Sequence, residues 1–395
     1  MIVKVSDNII TPLGLTTGDN LEAILEGRSE LRLHEGAFGL PEPFCGSLLD
    51  RDAVEEAFRE EISLHNADKS RTGSSVPDEE LTFMERLAIL SASKAIREGG
   101  IDPTRDDVLF ILSTTKGNVD LLAENPDDDR AYLAGSAQKI AEWFGNPNPP
   151  TVVSNACISG VCAQIAAVRA LLGGRCRTAV VIGCDVLSKF IISGFQSFKA
   201  LSPEPCKPYD KNRLGLNLGE GAATLILRSF QDAELSDASS HWHYISSSIH
   251  NDANHISGPS RTGEGSYRVL RDILEDLSPE ELSFVNAHGT ATAYNDEMES
   301  IALHRAGLDN VPVNGLKGFY GHTLGAAGVI ETILSMAAAD KGIILPTRGF
   351  CETGTSYALN LSSDTRKSDR KAFIKILSGF GGSNAGIAYR KGGAS

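Results

Sequence analysis

No two cysteines in this chain form a CxxC pair, and the seven present (Cys45, Cys157, Cys162, Cys176, Cys184, Cys206 and Cys351) are odd in number and scattered. That pattern excludes a disulfide or zinc framework and points to reduced thiols. Long apolar runs are missing too: none approaches the ~18 residues of a spanning helix. The start, Met1-Ile-Val-Lys-Val, is too short and lacks the layout of a signal peptide, so the expected location is the cytoplasm with no membrane partner. Positive charge is in deficit, with 37 Lys and Arg against 51 Asp and Glu and a formal net charge of −14. This excludes nucleic acid or an anionic membrane as the main partner and leaves room only for a local basic patch. What remains is ordinary globular composition, 41% hydrophobic and 22% charged over 395 residues. That length accommodates two or three domains, or one large α/β unit.

The periodicities give an alternation of helices and β-branched runs. A short apolar strand opens the chain, followed by a turn at 11–14 and a helix from Asn20. A charged helix is expected over 50–61, and the polar run Asp68 to Glu80 reads as mobile. Leu81 to Glu98 is amphipathic, with Leu87, Leu90, Ala92 and Ala95 on one face and Gly99-Gly100 as its stop. Val108 to Ser113 reads as a buried strand, and 116–150 as a polar covering segment. Thr151 to Ser154, a helix from Gly160 to Leu172 and the strand Thr178 to Cys184 form a strand–helix–strand unit of a parallel sheet. A hairpin-like strand, Gly219 to Leu227, follows, and Ser229 to Ser240 reads as a linker. The remainder repeats the order: a strand at Phe284 to Asn286, a helix at 296–306, a strand at 311–314, a helix at 324–339, and strands at 373–377 and 385–389. Gly219-Glu-Gly-Ala-Ala-Thr-Leu-Ile matches Gly381-Gly-Ser-Asn-Ala-Gly-Ile-Ala in spacing and type. The fold class is therefore α/β with two duplicated βαβ-rich halves, 1–229 and 230–395, whose helix N-termini meet at one central site.

Four glycine-marked turns follow strand-like segments, as active-site loops do at the C-terminal edge of an α/β sheet. They are Cys157, His288-Gly289-Thr290, Lys317 through Gly321-His322, and Gly379-Phe380-Gly381-Gly382. Cys157 falls at or just before the first turn of its helix, where unpaired N–H groups and the helix dipole favour thiolate over thiol. A lone cysteine beside Ala and Gly is more often an inert buried residue. A cysteine with two turn histidines and a lysine is different, because it supplies a nucleophile, two donors and a fixed positive charge. The other seven histidines have no comparable setting.

Residues from about 80 to 390 resemble the elongating β-ketoacyl-acyl-carrier-protein synthases, the thiolase-fold condensing enzymes of fatty-acid and polyketide synthesis. The resemblance rests on Ala-Cys-x-x-Gly (156–160), His-Gly-Thr-x-Thr (288–292) with Asp296, and Lys-x-x-x-Gly-His (317–322). Leu-Gly-Ala-Ala-Gly (324–328) with Glu331 and Gly-Phe-Gly-Gly-x-Asn (379–384) complete it. It implies a layered αβαβα thiolase-like fold and a 3-oxoacyl-[acyl-carrier-protein] synthase that acylates Cys157, decarboxylates malonyl-carrier protein and joins the two. Under it, the amides of Cys157 and Phe380 form an oxyanion hole, and His288 and His322 hold the malonyl thioester oxygen through Nε2. Lys317, paired with Glu331, orients the histidine loop. Asp296 braces it, Thr290 and Thr292 bind the pantetheine arm, and Phe195 gates the site. The resemblance implies no metal or redox cofactor. It implies an acyl-carrier protein as partner, with Lys199 at its docking site and Lys207, Lys211 and Arg213 nearby. It also implies a homodimer, or a heterodimer with a paralogue, paired through a sheet edge for which Thr178–Cys184 is the candidate.

Three departures stand out: Ile158-Ser159 after the nucleophile, Gly318 and Tyr320 before Gly-His, and Asp78-Glu79-Glu80 where some relatives are basic. A catalytically silent chain-length partner is the alternative reading, against which Cys157, His288 and His322 stand. A degradative thiolase is rejected because Phe380 occupies the place of its second cysteine. Polyene or pigment assembly competes with fatty-acid elongation as the setting.

Overall fold

The computed structural model describes residues 1–67, 81–230 and 240–392. The polar run 68–80, with Asp78-Glu79-Glu80, and the linker core 231–239 lie outside them. Ten strands form one sheet: β1 (Ile2–Ile10), β2 (Val108–Ser113), β3 (Thr151–Val153), β4 (Thr178–Asp185), β5 (Gly221–Ser229), β6 (Trp242–Asn251), β7 (Leu282–Asn286), β8 (Val313–Asn314), β9 (Ala372–Gly379) and β10 (Ser383–Lys391). Their spatial order is β8-β7-β9-β10-β6-β1-β5-β4-β2-β3. The order reads the same outward from the centre in both directions. From β1 it runs β5, β4, β2, β3, and from β6 it runs β10, β9, β7, β8. Pairing types repeat as well, with two antiparallel ladders next to the centre and two parallel ladders outside them. The halves join where Val3 faces His243.

The helices longer than one turn, among the described residues, are α1 (Thr17–Leu25), α2 (Arg51–Ala67), α3 (Phe83–Glu98), α4 (Leu133–Trp143), α5 (Ser159–Leu172), α6 (Lys189–Ser197), α7 (Glu264–Ile273), α8 (Ala293–Arg305) and α9 (Ala327–Asp340). Strand side chains alternate between faces, so a strand covered on both sides must be apolar at every position. In β2, Leu109 and Ile111 join the core that holds α5 and α9, while Val108, Phe110 and Leu112 join the core under α3 and α4. A third core lies beneath α7 in the second half. The layers run helix, sheet, helix, sheet, helix, with α5 and α9 in the middle. α3 starts on a capping box between Thr82 and Glu85, worth about 1 kcal/mol for the cap.

Several expectations are corrected. Thr178–Cys184 is no edge: β4 lies between β5 and β2, and the sheet ends at β3 and β8. A central strand and an edge strand both read as apolar when helices cover both faces. Gly219 to Leu227 is not half of a local hairpin, since β5 pairs with β1 and β4. The segment 116–150 carries α4, whose Ala137, Ile140 and Ala141 are buried. α6 and α7 were not foreseen, and β6 was expected only as a short strand carrying His241 and His243, whereas it runs from Trp242 to Asn251.

Candidate active site

The residues expected at the site, apart from Phe195 on α6 and the supporting and docking groups described below, lie at the ends of β3, β7, β8 and β9, where the two halves face each other. The chain leaves β3 and turns at Ala156, which takes a left-handed φ of 45°. That conformation costs a non-glycine residue on the order of 1–2 kcal/mol. Ser159 holds the turn: its hydroxyl donates to the Ala156 carbonyl at 2.6 Å and accepts the Asn155 N–H at 2.7 Å. Cys157 follows, two residues before α5 begins at Ser159, and is buried. Gly160, the next turn along, presses on α9: a Cβ there would lie 2.9 Å from the Gly325 carbonyl and from Gly328 Cα. This close crossing brings the nucleophile of one half to the histidines of the other.

The Cys157 Sγ and one ring nitrogen each from His288 and His322 lie within 4.8 Å of one another. The two imidazoles stand edge to face, with centroids 5.0 Å apart. His322 Nδ1 accepts the Leu324 N–H at 3.3 Å. This hydrogen bond assigns the ring proton to Nε2, which is buried with no protein partner among the described residues. Nδ1 of His288 is likewise buried and unpartnered among them. Burial, and then the Lys317 charge, hold both imidazoles well below the usual histidine range, so both are neutral at pH 7. For Cys157 the expectation of a favoured thiolate is overturned. Burial pushes the thiol up to about 11, outweighing the opposing charges of Lys317 and Lys116.

The segment carrying His288 is held from both sides. On one side α8 presents Asp296 and Glu299, one helical turn apart. Glu299 accepts the N–H groups of His288 at 2.7 Å and Gly289 at 2.8 Å. Asp296 accepts those of Thr290 at 3.1 Å, Ala291 at 3.2 Å and Tyr209 at 2.7 Å. Burial pushes Asp296 up to about 7, with Glu299 adding to the effect. On the other side Lys317 Nζ donates to the His288 carbonyl and to Glu331, both at 2.6 Å. Glu331 is shared with a second buried lysine, Lys375 of β9.

A cavity of about 640 Å³ leads to Cys157, His288 and His322. Thr290 and Thr292 line it, their hydroxyls 2.9 Å apart. Phe195 of α6 stacks on Phe380 with centroids 5.9 Å apart, and Phe198 meets the same ring edge-on at 5.6 Å. A Cβ on Gly379 would come within 3.2 Å of the Cys157 nitrogen, so this turn and the nucleophile turn are in contact. Lys199 is exposed at the mouth, and Arg213 lines the wall. Lys207 and Lys211 do not line the cavity and pair with Glu204 and Glu352. Ile158 is fully buried in the central core. Gly318 has a steric reason, because a Cβ would meet the Arg348 carbonyl at 2.7 Å.

Sequence reasoning did not single out Glu299, Lys375 or Phe198. Glu299 carried a signal, its i+3 spacing from Asp296. So did Lys375, a charge inside the apolar run Ala-Phe-Ile-Lys-Ile-Leu.

Two family models account for most of the chain: the β-ketoacyl synthase N-terminal domain over residues 2–233 and the β-ketoacyl synthase C-terminal domain over 244–351. Among similar proteins, Nodulation protein E of Rhizobium leguminosarum bv. trifolii is 27% identical, over 80% of this chain and 85% of that protein. The 3-oxoacyl-[acyl-carrier-protein] synthase 2 of Vibrio harveyi is 26% identical, over 99% of this chain and 98% of that one. Among solved structures, the ketosynthase ApeO in complex with its chain length factor ApeC from Xenorhabdus doucetiae matches with a TM-score of 0.82. It is 22% identical and covers 99% of this chain and 98% of its own.

Proposed function

The chain belongs to the β-ketoacyl synthase family and has its thiolase-like fold, and from that premise we propose that it is an active 3-oxoacyl-[acyl-carrier-protein] synthase. The observation that carries this reading is the convergence of the Cys157 Sγ with two neutral imidazoles within 4.8 Å. In the first half-reaction the Cys157 sulfur bonds to the acyl carbon of a carrier-bound thioester. The carrier sulfur leaves and takes up the thiol proton. The N–H groups of Cys157 and Phe380 stabilise the tetrahedral oxyanion. In the second, malonyl-carrier protein binds along Thr290 and Thr292, and its carboxylate carbon departs as carbon dioxide. The bonding pair left behind forms an enolate whose oxygen is held by His288 and His322. The enolate carbon then bonds to the acyl carbon and Cys157 leaves as thiolate. No redox cofactor is required, because loss of carbon dioxide drives the bond formation. The proton on His322 Nε2 and the ammonium behind the histidines disfavour a metal cation there.

The partner proposed is an acyl-carrier protein docking over Lys199, in the cytoplasm, with the synthase acting as a homodimer or beside a paralogue. Fatty-acid and specialised polyketide substrates, such as polyenes or pigments, both fit this site. A silent chain-length partner is the weaker alternative, since such a subunit needs neither Cys157 nor the histidine pair.

The test separates the half-reactions. Cys157→Gln abolishes acyl-enzyme, read by intact mass, and condensation, while slow release of labelled carbon dioxide from malonyl-carrier protein persists. His288→Ala and His322→Ala each lower that release about 10²–10³-fold, the value of one oxyanion donor, and spare acylation more. Condensation by Cys157→Gln, or decarboxylation at the parent rate by the histidine variants, would refute the assignment.

A further inference from the structure

Lys375 lies in the middle of β9, with Phe373, Ile374, Ile376 and Leu377 buried around it, and it is itself fully buried. A lysine in such a place needs compensation, because stripping water from an ammonium costs several kcal/mol. It has three partners: Glu331, the Ala287 carbonyl at 3.1 Å and the Asn286 carbonyl at 3.4 Å. Lys317 takes the next carbonyl in line, that of His288, and the other oxygen of the same carboxylate. Two ammoniums thus grip three successive carbonyls at the end of β7, and one carboxylate lies between them. Burial pulls Lys375 down to about 8, so at pH 7 both ammoniums are charged and outnumber the one carboxylate they share, with Glu299 the next carboxylate to act on Lys375.

We propose that Lys375 is a positioning residue for the histidine pair: its ammonium fixes the segment that carries His288 and sets an uncompensated positive charge behind both imidazoles. This deepens the reading above and rests on it for the histidines' task. Both rings feel Lys375 as well as Lys317, and both charges oppose a second proton on either ring. A neutral His322 with its proton on Nε2 donates to an enolate. An imidazolium in the empty site would instead draw the malonyl carboxylate inward and resist its loss. Of the other charged groups nearby, Glu299 acts on Lys375, while the fixed charges that reach both rings are those of the two lysines. Glu299 and Asp296 are occupied by the N–H groups of residues 288–291 and by Tyr209, Glu331 is shared between the lysines, and Cys157 is a thiol. Arg213, 3.8 Å from Asp296, offsets that carboxylate.

Two variants of the full chain test the proposal, each with histidine-selective isotope labelling and read by NMR titration. Lys375→Met removes charge and hydrogen bonds but leaves a neutral Lys317–Glu331 pair. Lys375→Gln removes the charge and keeps a donor to the carbonyls, and it serves alone if the methionine variant does not fold. In both, the titration midpoints of His288 and His322 rise by about one pH unit or more, as expected when a nearby like charge is removed. The acid limb of carbon dioxide release moves up in pH by the same amount. Lys375→Arg retains the parent midpoints. Unchanged midpoints in a folded Lys375→Met or Lys375→Gln protein, or an equal shift in Lys375→Arg, overturns the proposal. If the parent releases no carbon dioxide from any malonyl thioester while the midpoints still move, the functional reading fails and the electrostatic role of Lys375 stands.

Discussion

Burial and charge compete at Cys157, and burial wins, leaving the resting nucleophile a thiol although it stands at a helix N-terminus. The sign of the pH dependence follows. An acid raised to about 11 gains thiolate only as pH climbs toward that value, by roughly tenfold per unit at lower pH. Alkylation of Cys157 by iodoacetamide should therefore rise about tenfold from pH 7 to 8 and again from 8 to 9, without a plateau. Mass mapping of the alkylated peptides reads this directly, with exposed Cys351 as the internal reference. Lys317→Met removes an opposing positive charge and should slow alkylation further. A plateau near pH 7 would show that the helix end and the lysines prevail over burial. At this scale much of the site was legible, because Cys157, His288, His322, Lys317 and Phe380 all stand in turns marked by glycine. Glu299 and Lys375 left a trace, an i+3 spacing and a charge in an apolar run, but were passed over because their partners are backbone N–H and carbonyl groups, whose positions a side-chain pattern does not encode.

The elements that bring the two halves together meet where α5 crosses α9 at Gly160 and Gly328. A Cβ on Gly328 would come within 2.5 Å of the Val161 nitrogen and 2.7 Å of the Gly160 carbonyl carbon, both backbone atoms with little freedom to yield. Replacing glycine by alanine inside a helix favours the helix by about 1 kcal/mol, whereas overpacking of this kind costs roughly 1–3 kcal/mol. Gly328→Ala should therefore destabilise, lowering the thermal midpoint by a few degrees. Condensation should fall more than melting predicts, since the crossing sets the distance from Cys157 to His322. Calorimetry beside turnover checks this, and an unchanged midpoint with unchanged turnover would show that the crossing has slack. The strands and main helices of this scaffold were readable from β-branched runs and glycine stops. The edge was misassigned because apolar pattern reports coverage of a strand's faces and says nothing of its lateral neighbours. α6 was missed because Lys189–Ser197 divides its apolar residues, burying Ile191 and Ile192 in a small core while Phe190 stays exposed.

For the whole molecule, β3 is the sheet end that leads directly into the nucleophile turn. An unpaired edge so close to the site is the place to expect a second chain. Sedimentation at micromolar concentration should show a dimer, and Thr151→Lys with Val153→Lys, which sets like charges against each other across that edge, should dissociate it. A strictly monomeric parent would count against this pairing. Lys199 at the cavity mouth is the cation to test for carrier docking. Lys199→Glu should raise KM for carrier-bound substrate several-fold and flatten its dependence on salt. An unaltered KM with an unaltered salt slope would place the docking surface elsewhere. The strand order has a further consequence in time. β10, the last of the ten strands in chain order, inserts between β9 and β6 rather than adding to an edge, and Phe380 precedes it by only three residues. Cys157 is therefore synthesised tens of seconds before the chain that completes its surroundings. A chain made only as far as the first half displays Cys157 without His288, His322 or the Phe380 turn, so the site is assembled only once the second half has been made and folded against it.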